Sequence, residues 1–504
     1  METNNIKTLG GLKKAGYASR SVKEEMRENL IAALRERRQV FTGIQGYEDT
    51  VLPQIQTAIL SRHNMILLGL RGQAKTRIAR LMVQLLDEYM PIVEGSEMND
   101  DPLHPISVYA RNLVAEKGDD TPVAWVHRNE RYTEKLATPD VSVADLIGDV
   151  DPIKAATLKL NYADERVIHF GLIPRSHRGI FVINELPDLQ ARIQVSLFNI
   201  LQEGDMQIRG FKLRLPLDIQ FVFTANPEDY TNRGSIVTPL KDRIDSQILT
   251  HYPKTLELSK SITTQEARLP ATQQSTIETA ELLKDLVEQV AMEARRSELV
   301  DQKSGVSARL TISALENLYS HAERRMLING EHKAYARVGD LYGILPGITG
   351  KVELVYEGEL EGASGVAHML IGKAIRAQFE KVFPNPEKTK KSKKPNPYAR
   401  VLGWFNEGNT LPLLSVETQI GYENLLKQVD GLADIVKEHF PKAGKQEQYL
   451  LMEFVLHGLS EFSQLSKNGL ERGVEFKDLM SGMFDMKQGR GSDDEDYGGY
   501  YEEK

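Results

Sequence analysis

The sequence predicts an α/β protein: a parallel sheet covered on both faces, followed by a helical region. Three observations lead there. From about residue 51 to 250, short apolar runs alternate with longer stretches of helical periodicity, the pattern of strand–helix–strand crossovers. The runs at 65–68, 106–109, 180–183 and 219–224 are almost continuously apolar, as expected of strands buried on both faces. From about residue 259 the apolar spacing turns helical, with Leu282, Leu286 and Val290 on one face and Ile312, Leu315, Leu318 and Tyr319 on another.

At 504 residues the chain is too long for one core and should divide into domains. Its 41% hydrophobic and 27% charged content is that of an ordinary soluble globular protein. A formal net charge of −8 gives no global attraction to nucleic acid or membrane phosphates. The absence of cysteine excludes disulfides, thiolate catalysis and Cys-ligated zinc. The first sixteen residues lack the apolar core of a signal peptide, and no apolar run approaches a bilayer span. A cytoplasmic location is therefore expected.

Element by element, Ser21 followed by Glu24 predicts a helix start. Val22, Met26, Leu30 and Leu34 then make an amphipathic helix within segment 1–40, which Gly43 and Gly46 end. Residues 41–252 are the predicted α/β domain, with helices at 75–88 and 190–202. Alternation about Gly210 predicts a hairpin over 206–215. Residues 253–383 read as a helical lid and extension, 384–400 as a basic, proline-bounded linker, and 401–486 as a further helical domain. The acidic segment 487–504 reads as a disordered tail. The basic run 388–394 is expected to be solvated, no helix-turn-helix stands out, and nucleic acid is not an expected partner. The eleven histidines show no metal-ligand spacing.

The chemistry concentrates at Gly69-Leu-Arg71-Gly72-Gln73-Ala74-Lys75-Thr76, which follows the strand at 65–68 and opens a helix. That context suits a phosphate-binding loop: backbone N–H groups wrap phosphates, and the helix N-terminus favours anions. Lys75 would bridge the β- and γ-phosphates of ATP, and Thr76 would ligate Mg²⁺. Ala74 stands where a glycine is usual, and a positive φ there would carry a steric penalty.

A second strand ends in Asn184-Glu185, which places both beside the loop at the carboxyl edge of the sheet. Glu185 is the candidate to orient and polarise an attacking water. Asn184 occupies a position where a carboxylate is expected near Mg²⁺; its amide oxygen accepts a hydrogen bond but brings no charge. A third strand ends in Asn226, a candidate to hold that water. Arg243 lies beyond the sheet edge, where an arginine reaching a neighbouring subunit's γ-phosphate accelerates transfer. Arg309, at a helix start in the second half, is a candidate nucleotide sensor.

As an ensemble these segments resemble the MoxR and magnesium-chelatase I-subunit branch of the AAA+ ATPases, over about residues 44–318. The loop resembles that branch's G-x-P-G-x-A-K-T, which makes Ala74 ordinary for it. The segment from Gly171 to Glu185 is similar to G-L-L-x-x-A-x-x-G-I-L-Y-I-D-E, with Asn184 as the departure. Asp145-Leu-Ile-Gly148-Asp-Val-Asp151 resembles the segment leading into the branch's helix-2 insertion, and 206–215 its pre-sensor hairpin. Ile44 falls in the I-x-G-x-E segment that flanks the adenine. The resemblance assigns Asn226 to sensor 1, Arg243 to the arginine finger and Arg309 to sensor 2. It implies a homo-oligomeric ring, commonly a hexamer, that uses ATP and Mg²⁺ and works with a von Willebrand A-domain partner on a client protein.

Overall fold

The four residues Met65–Leu68 form strand β1 and are all buried, in a computed structural model that describes residues 5–160, 164–207, 214–227, 235–390, 395–470 and 473–479. The predicted hairpin's tip at 208–213, residues 391–394 of the basic run and the acidic tail 487–504 lie outside the described residues. By its internal contacts the chain forms two units, Met1–Tyr252 and Pro253–Lys504.

In the first unit β1 joins β2 (Tyr132–Leu136), β3 (Gly179–Asn184), β4 (Ile219–Ala225) and β5 (Ser246–Leu249) in a parallel sheet of order β5-β1-β4-β3-β2. Side chains alternate faces along a strand, so a strand covered on both sides must be apolar at every position. Met65, Leu67, Ile180, Val182 and Val222 pack against Met26, Leu30, Ile55 and Ile78 on one face. Ile66, Leu68, Phe181, Ile183, Phe221 and Phe223 pack against Ile193, Leu197 and Leu240 on the other.

One strand expectation is corrected. Residues 106–109 do not form a strand: Ser107 accepts from the Ala110 N–H and caps a helix, Val108–Lys117. One of the sheet's two edges is β2, which carries Thr133, Glu134 and Lys135 and is only partly buried. An edge strand covered incompletely tolerates polar residues, so the search for continuous apolar runs passed over it. The predicted helix at 75–88 is α-helical over Lys75–Leu81 and then tightens to a 3₁₀ turn at Met82–Leu85. That at 190–202 divides into Ala191–Ser196 and Phe198–Glu203. The base of the 206–215 hairpin pairs antiparallel, Asp205–Gln207 with Arg214–Pro216.

Helix α1 (Val22–Arg35) starts where Ser21 Oγ accepts from the Glu24 N–H at 3.2 Å. A buried ion pair ties it to the sheet edge: Glu25 accepts from Arg131 at 2.7 and 2.6 Å, and Arg131 also donates to Arg178 O at 2.9 and 2.8 Å. With both partners almost fully buried, loss of either would strand a charge in the interior.

The second unit packs helices Glu281–Ala294, Arg309–Ile328 (α2), Ala363–Val382 and Lys445–Glu461 with a three-stranded antiparallel sheet of Leu411–Leu414, Gly473–Lys477 and Ser466–Leu470. Leu286, Leu318, Ile375, Phe379, Phe454 and Phe476 share its one core. Among the described residues no helix is long and apolar enough to cross a membrane.

Ahead of β3 and β4, the Asp218 N–H donates to His177 Nδ1 at 3.0 Å. This bond requires a neutral imidazole, because a protonated Nδ1 would set donor against donor. Burial, aided by Arg178, pushes the His177 pKa down to about 4. The unfolded chain therefore binds this proton first as pH falls below 6.5. The stabilisation is complete above that value and is lost as pH falls toward about 4. Denaturant unfolding of the first unit should lose about 1–2 kcal/mol between pH 7 and pH 5 from this group. In His177→Gln, whose amide oxygen can accept the same N–H, that pH-dependent part should disappear.

Candidate nucleotide site

Because the sheet is parallel, the carboxyl ends of β1, β3 and β4 open on one edge, and the loop after β1 lies across it. Gly69 N donates to Ala225 O at 3.1 Å, which fixes the loop to the end of β4. A Cβ at Gly69 would collide with Thr250 Oγ1 and Gln73 Oε1, so any side chain there would displace the hydrogen-bonded pair. Gly72 has φ +74° and Ala74 φ +57°, ψ +14°, so the loop turns left-handed twice before the helix beginning at Lys75. The alanine does pay for a conformation that glycine adopts freely.

Lys75 is buried, and its ammonium donates to Gly69 O, to Leu70 O at 3.1 Å and to Asn226 Oδ1 at 2.9 Å. Thr76 Oγ1 reaches Asn184 Oδ1 at 3.4 Å, and Thr224 Oγ1 donates to the same oxygen at 3.0 Å. Glu185 follows with φ +53°, a left-handed non-glycine residue, and its N–H donates to Thr224 Oγ1 at 3.2 Å. The structure thus brings Lys75, Thr76, Asn184, Glu185 and Asn226 to one edge, although 151 residues separate Lys75 from Asn226.

The loop's flank is laced by hydrogen bonds. Tyr47 OH lies 2.7 Å from His251 O and 3.1 Å from Gln73 O, so its single proton is shared between two carbonyls; burial raises its pKa to about 12, so it remains a donor. Thr250 Oγ1 donates to Gln73 Oε1 at 2.6 Å, and Tyr252 OH to Arg71 O at 3.0 Å. Arg71 itself is exposed. Ile44 lies in the core beneath this flank, next to Tyr47.

The two candidate arginines make other contacts. Arg243 donates to Gln202 Oε1 at 2.9 Å and Pro239 O at 2.8 Å, with its guanidinium 4.8 Å from the centre of the Phe198 ring. The nearby Asp245 accepts from the Asn64 N–H at 2.8 Å. Arg309 is exposed at the start of α2 in the second unit, where its N–H donates to Ser307 Oγ at 3.1 Å.

Sequence reasoning passed over Glu134. Its carboxylate accepts from Asn184 Nδ2 at 2.7 Å, from Arg80 at 2.8 and 3.1 Å and from Tyr132 OH at 3.0 Å. Burial works against its charge, but these donors prevail and hold its pKa below the usual value. The signal would have been an acidic residue on the strand beside Asn184, which required recognising β2 first.

The oxygens of Thr76 and Asn184 suit a hard cation. Among the described residues no group of three or more His, Asp or Glu could by itself cage a metal. Such a donor set fits Mg²⁺, which keeps its waters and takes only one or two protein ligands beside phosphate.

No family model matches the chain. It is 24% identical over 233 residues to the 38 kDa subunit of magnesium chelatase from Cereibacter sphaeroides, covering 44% of this chain and 62% of that protein. It is 26% identical over 224 residues to the same subunit from Rhodobacter capsulatus, covering 43% and 57%. The chain thus spans less than two thirds of the length of these curated relatives. Among solved structures it is similar to a BchI–BchD complex of magnesium chelatase (19% identity, 64% of this chain, 98% of that chain, TM-score 0.32). It is also similar to NtrX from Brucella abortus in complex with ATP (13% identity, 72% of this chain, 68% of that chain, TM-score 0.33).

A parallel sheet with a glycine-containing loop and Lys75-Thr76 after β1, an Asn–Glu pair at the end of β3 and an asparagine after β4 fits an AAA+ ATPase fold. Together with the likeness to the two chelatase-subunit relatives, these segments support an AAA+ ATPase of the MoxR and chelatase-like type.

Ala74→Gly tests the loop geometry. Relief of the left-handed alanine, partly offset by glycine's extra freedom when unfolded, should raise the first unit's stability by up to about 1 kcal/mol. The denaturant midpoint reports it; a lowered midpoint would mean that the alanine methyl is packed rather than strained.

Proposed function

We propose that the chain is an ATP-hydrolysing motor subunit that acts within a homo-oligomeric ring, in the cytosol, to remodel or mature a client protein with a von Willebrand A-domain partner. The observation that carries the reading is the meeting of Lys75 with Asn226 at 2.9 Å beside the Thr76–Asn184 contact. On this reading Lys75 is the phosphate-binding cation, the Thr76 and Asn184 oxygens lie on the metal side, and Asn226 is the water-holding amide.

In this reading the loop N–H groups and Lys75 bind the phosphates, and Thr76 and Asn184 would hold Mg²⁺, which when bound would offset phosphate charge. Asn226 and Glu185 position water for attack on the γ-phosphorus, with ADP leaving. Arg243 would serve a neighbouring subunit's nucleotide and Arg309 would report nucleotide state from the second unit.

The likeness to magnesium-chelatase subunits keeps a second reading in play, a motor subunit that drives Mg²⁺ insertion into protoporphyrin. Metallation of protoporphyrin in the presence of chelatase partner subunits would select it; ATP turnover without metallation would select remodelling.

Lys75→Ala should weaken ATP binding by at least about tenfold, measured by fluorescent-nucleotide titration. Glu185→Gln should keep binding and lower turnover by about 10²-fold or more. A wild-type protein that binds ATP but turns over no faster than Glu185→Gln would instead be a nucleotide-binding scaffold.

A further inference from the structure

We infer that Glu134 is a positioning residue for Mg²⁺–nucleotide binding: it fixes the Asn184 amide so that the amide oxygen faces Thr76, and it supplies the negative charge that Asn184 lacks. The inference rests on the proposed nucleotide site.

A carboxylate oxygen of Glu134 lies 2.7 Å from one polar atom of Asn184. An ionised carboxylate only accepts, so that atom must be the amide nitrogen. The other end of the amide lies 3.4 Å from Thr76 Oγ1 and 3.0 Å from Thr224 Oγ1, and both hydroxyls can donate to it. Amide orientation is decided by such a network, and here each contact demands the same answer. Without Glu134 the amide could turn its N–H₂ toward the hydroxyls, and a donor would then face the metal.

The supporting geometry is closed. On β2, Leu136 pairs with Asn184, and Glu134 lies two residues earlier on the same face. Arg80, one turn after Thr76 on the loop's helix, grips Glu134 through two nitrogens at 2.8 and 3.1 Å. Tyr132 OH adds a third donor at 3.0 Å. Helix, β2 and β3 are thereby joined through Arg80, Glu134, Asn184 and Thr76. The acidic charge expected at position 184 sits one strand over and acts on the site through the amide.

This arrangement inverts the simple expectation for Asn184→Asp. An aspartate there would set a second acceptor-only carboxylate against Glu134 where the amide now donates, and the two would repel. The substitution should improve Mg²⁺ binding only when position 134 is neutral.

The test is a double-mutant cycle on the full chain: wild type, Glu134→Gln, Asn184→Asp and the pair. Fluorescent ATP-analogue affinity is measured with Mg²⁺ and with EDTA, alongside a thermal midpoint for each protein without nucleotide. Each single variant is expected to weaken Mg²⁺-dependent affinity, by about tenfold for Glu134→Gln, while affinity in EDTA stays within about twofold. The pair is expected to recover wild-type Mg²⁺ dependence or exceed it, a coupling that independent sites do not show. Recovery in the pair also rules out a merely structural role, because two destabilising changes would compound. If Asn184→Asp alone tightens Mg²⁺ binding and the two effects simply multiply, the inference is overturned. If wild type binds no nucleotide under either condition, the proposed function fails instead.

Discussion

In a parallel sheet every strand finishes on the same edge, so pairing β1 with β4, and β4 with β3, delivers three chain ends to one place. The candidate site depends on that constraint more than on any single bond. Lys75 and Thr76 follow β1, Asn184 and Glu185 close β3, and Asn226 follows β4. A slip of one residue in the β1–β4 register would turn alternate side chains to the wrong face and separate Lys75 from Asn226. The register is held by burial on both faces, with Ile66 and Phe223 on one side and Met65 and Val222 on the other.

Around this edge the backbone departs from its preferred regions at two non-glycine positions, Ala74 and Glu185, both with positive φ. Each costs on the order of 1 kcal/mol or more, and each persists because neighbours over-determine it. For Glu185 the neighbours are the Thr224 hydroxyl and the 3₁₀ turn Leu186–Asp188. For Ala74 they are the close approach at Gly69 and the helix that starts at Lys75. The unusual composition at Asn184 has a comparable explanation, since its amide is one link between the charges of Glu134 and Arg80 and the hydroxyl of Thr76.

Much of the sheet was legible because continuous apolar runs report burial on two faces, and β1, β3 and β4 are such runs. The loop was legible because it combines glycines, a lysine and a threonine at fixed spacing. What escaped were features that depend on incomplete burial or on distant partners. The run at 106–109 carries apolar residues, yet Ser107 caps a helix there, so local capping outweighed hydrophobicity. β2 alternates polar residues as an edge strand does, and with it went Glu134. The Glu25–Arg131 pair joins α1 to the start of β2 across 106 residues, and no local pattern announces it.

The hydrogen bonds along the loop's flank have a mechanical consequence. Thr250, His251 and Tyr252 are the last residues of the first unit, and all three are bonded to the loop or to Tyr47 beneath it. The carbonyl of Arg71 and the side-chain amide of Gln73 are therefore bonded directly to the segment that ends the first unit. A shift of the loop backbone must either break these bonds or drag residues 250–252 with it. The end of the first unit and the loop thus share one hydrogen-bonded network.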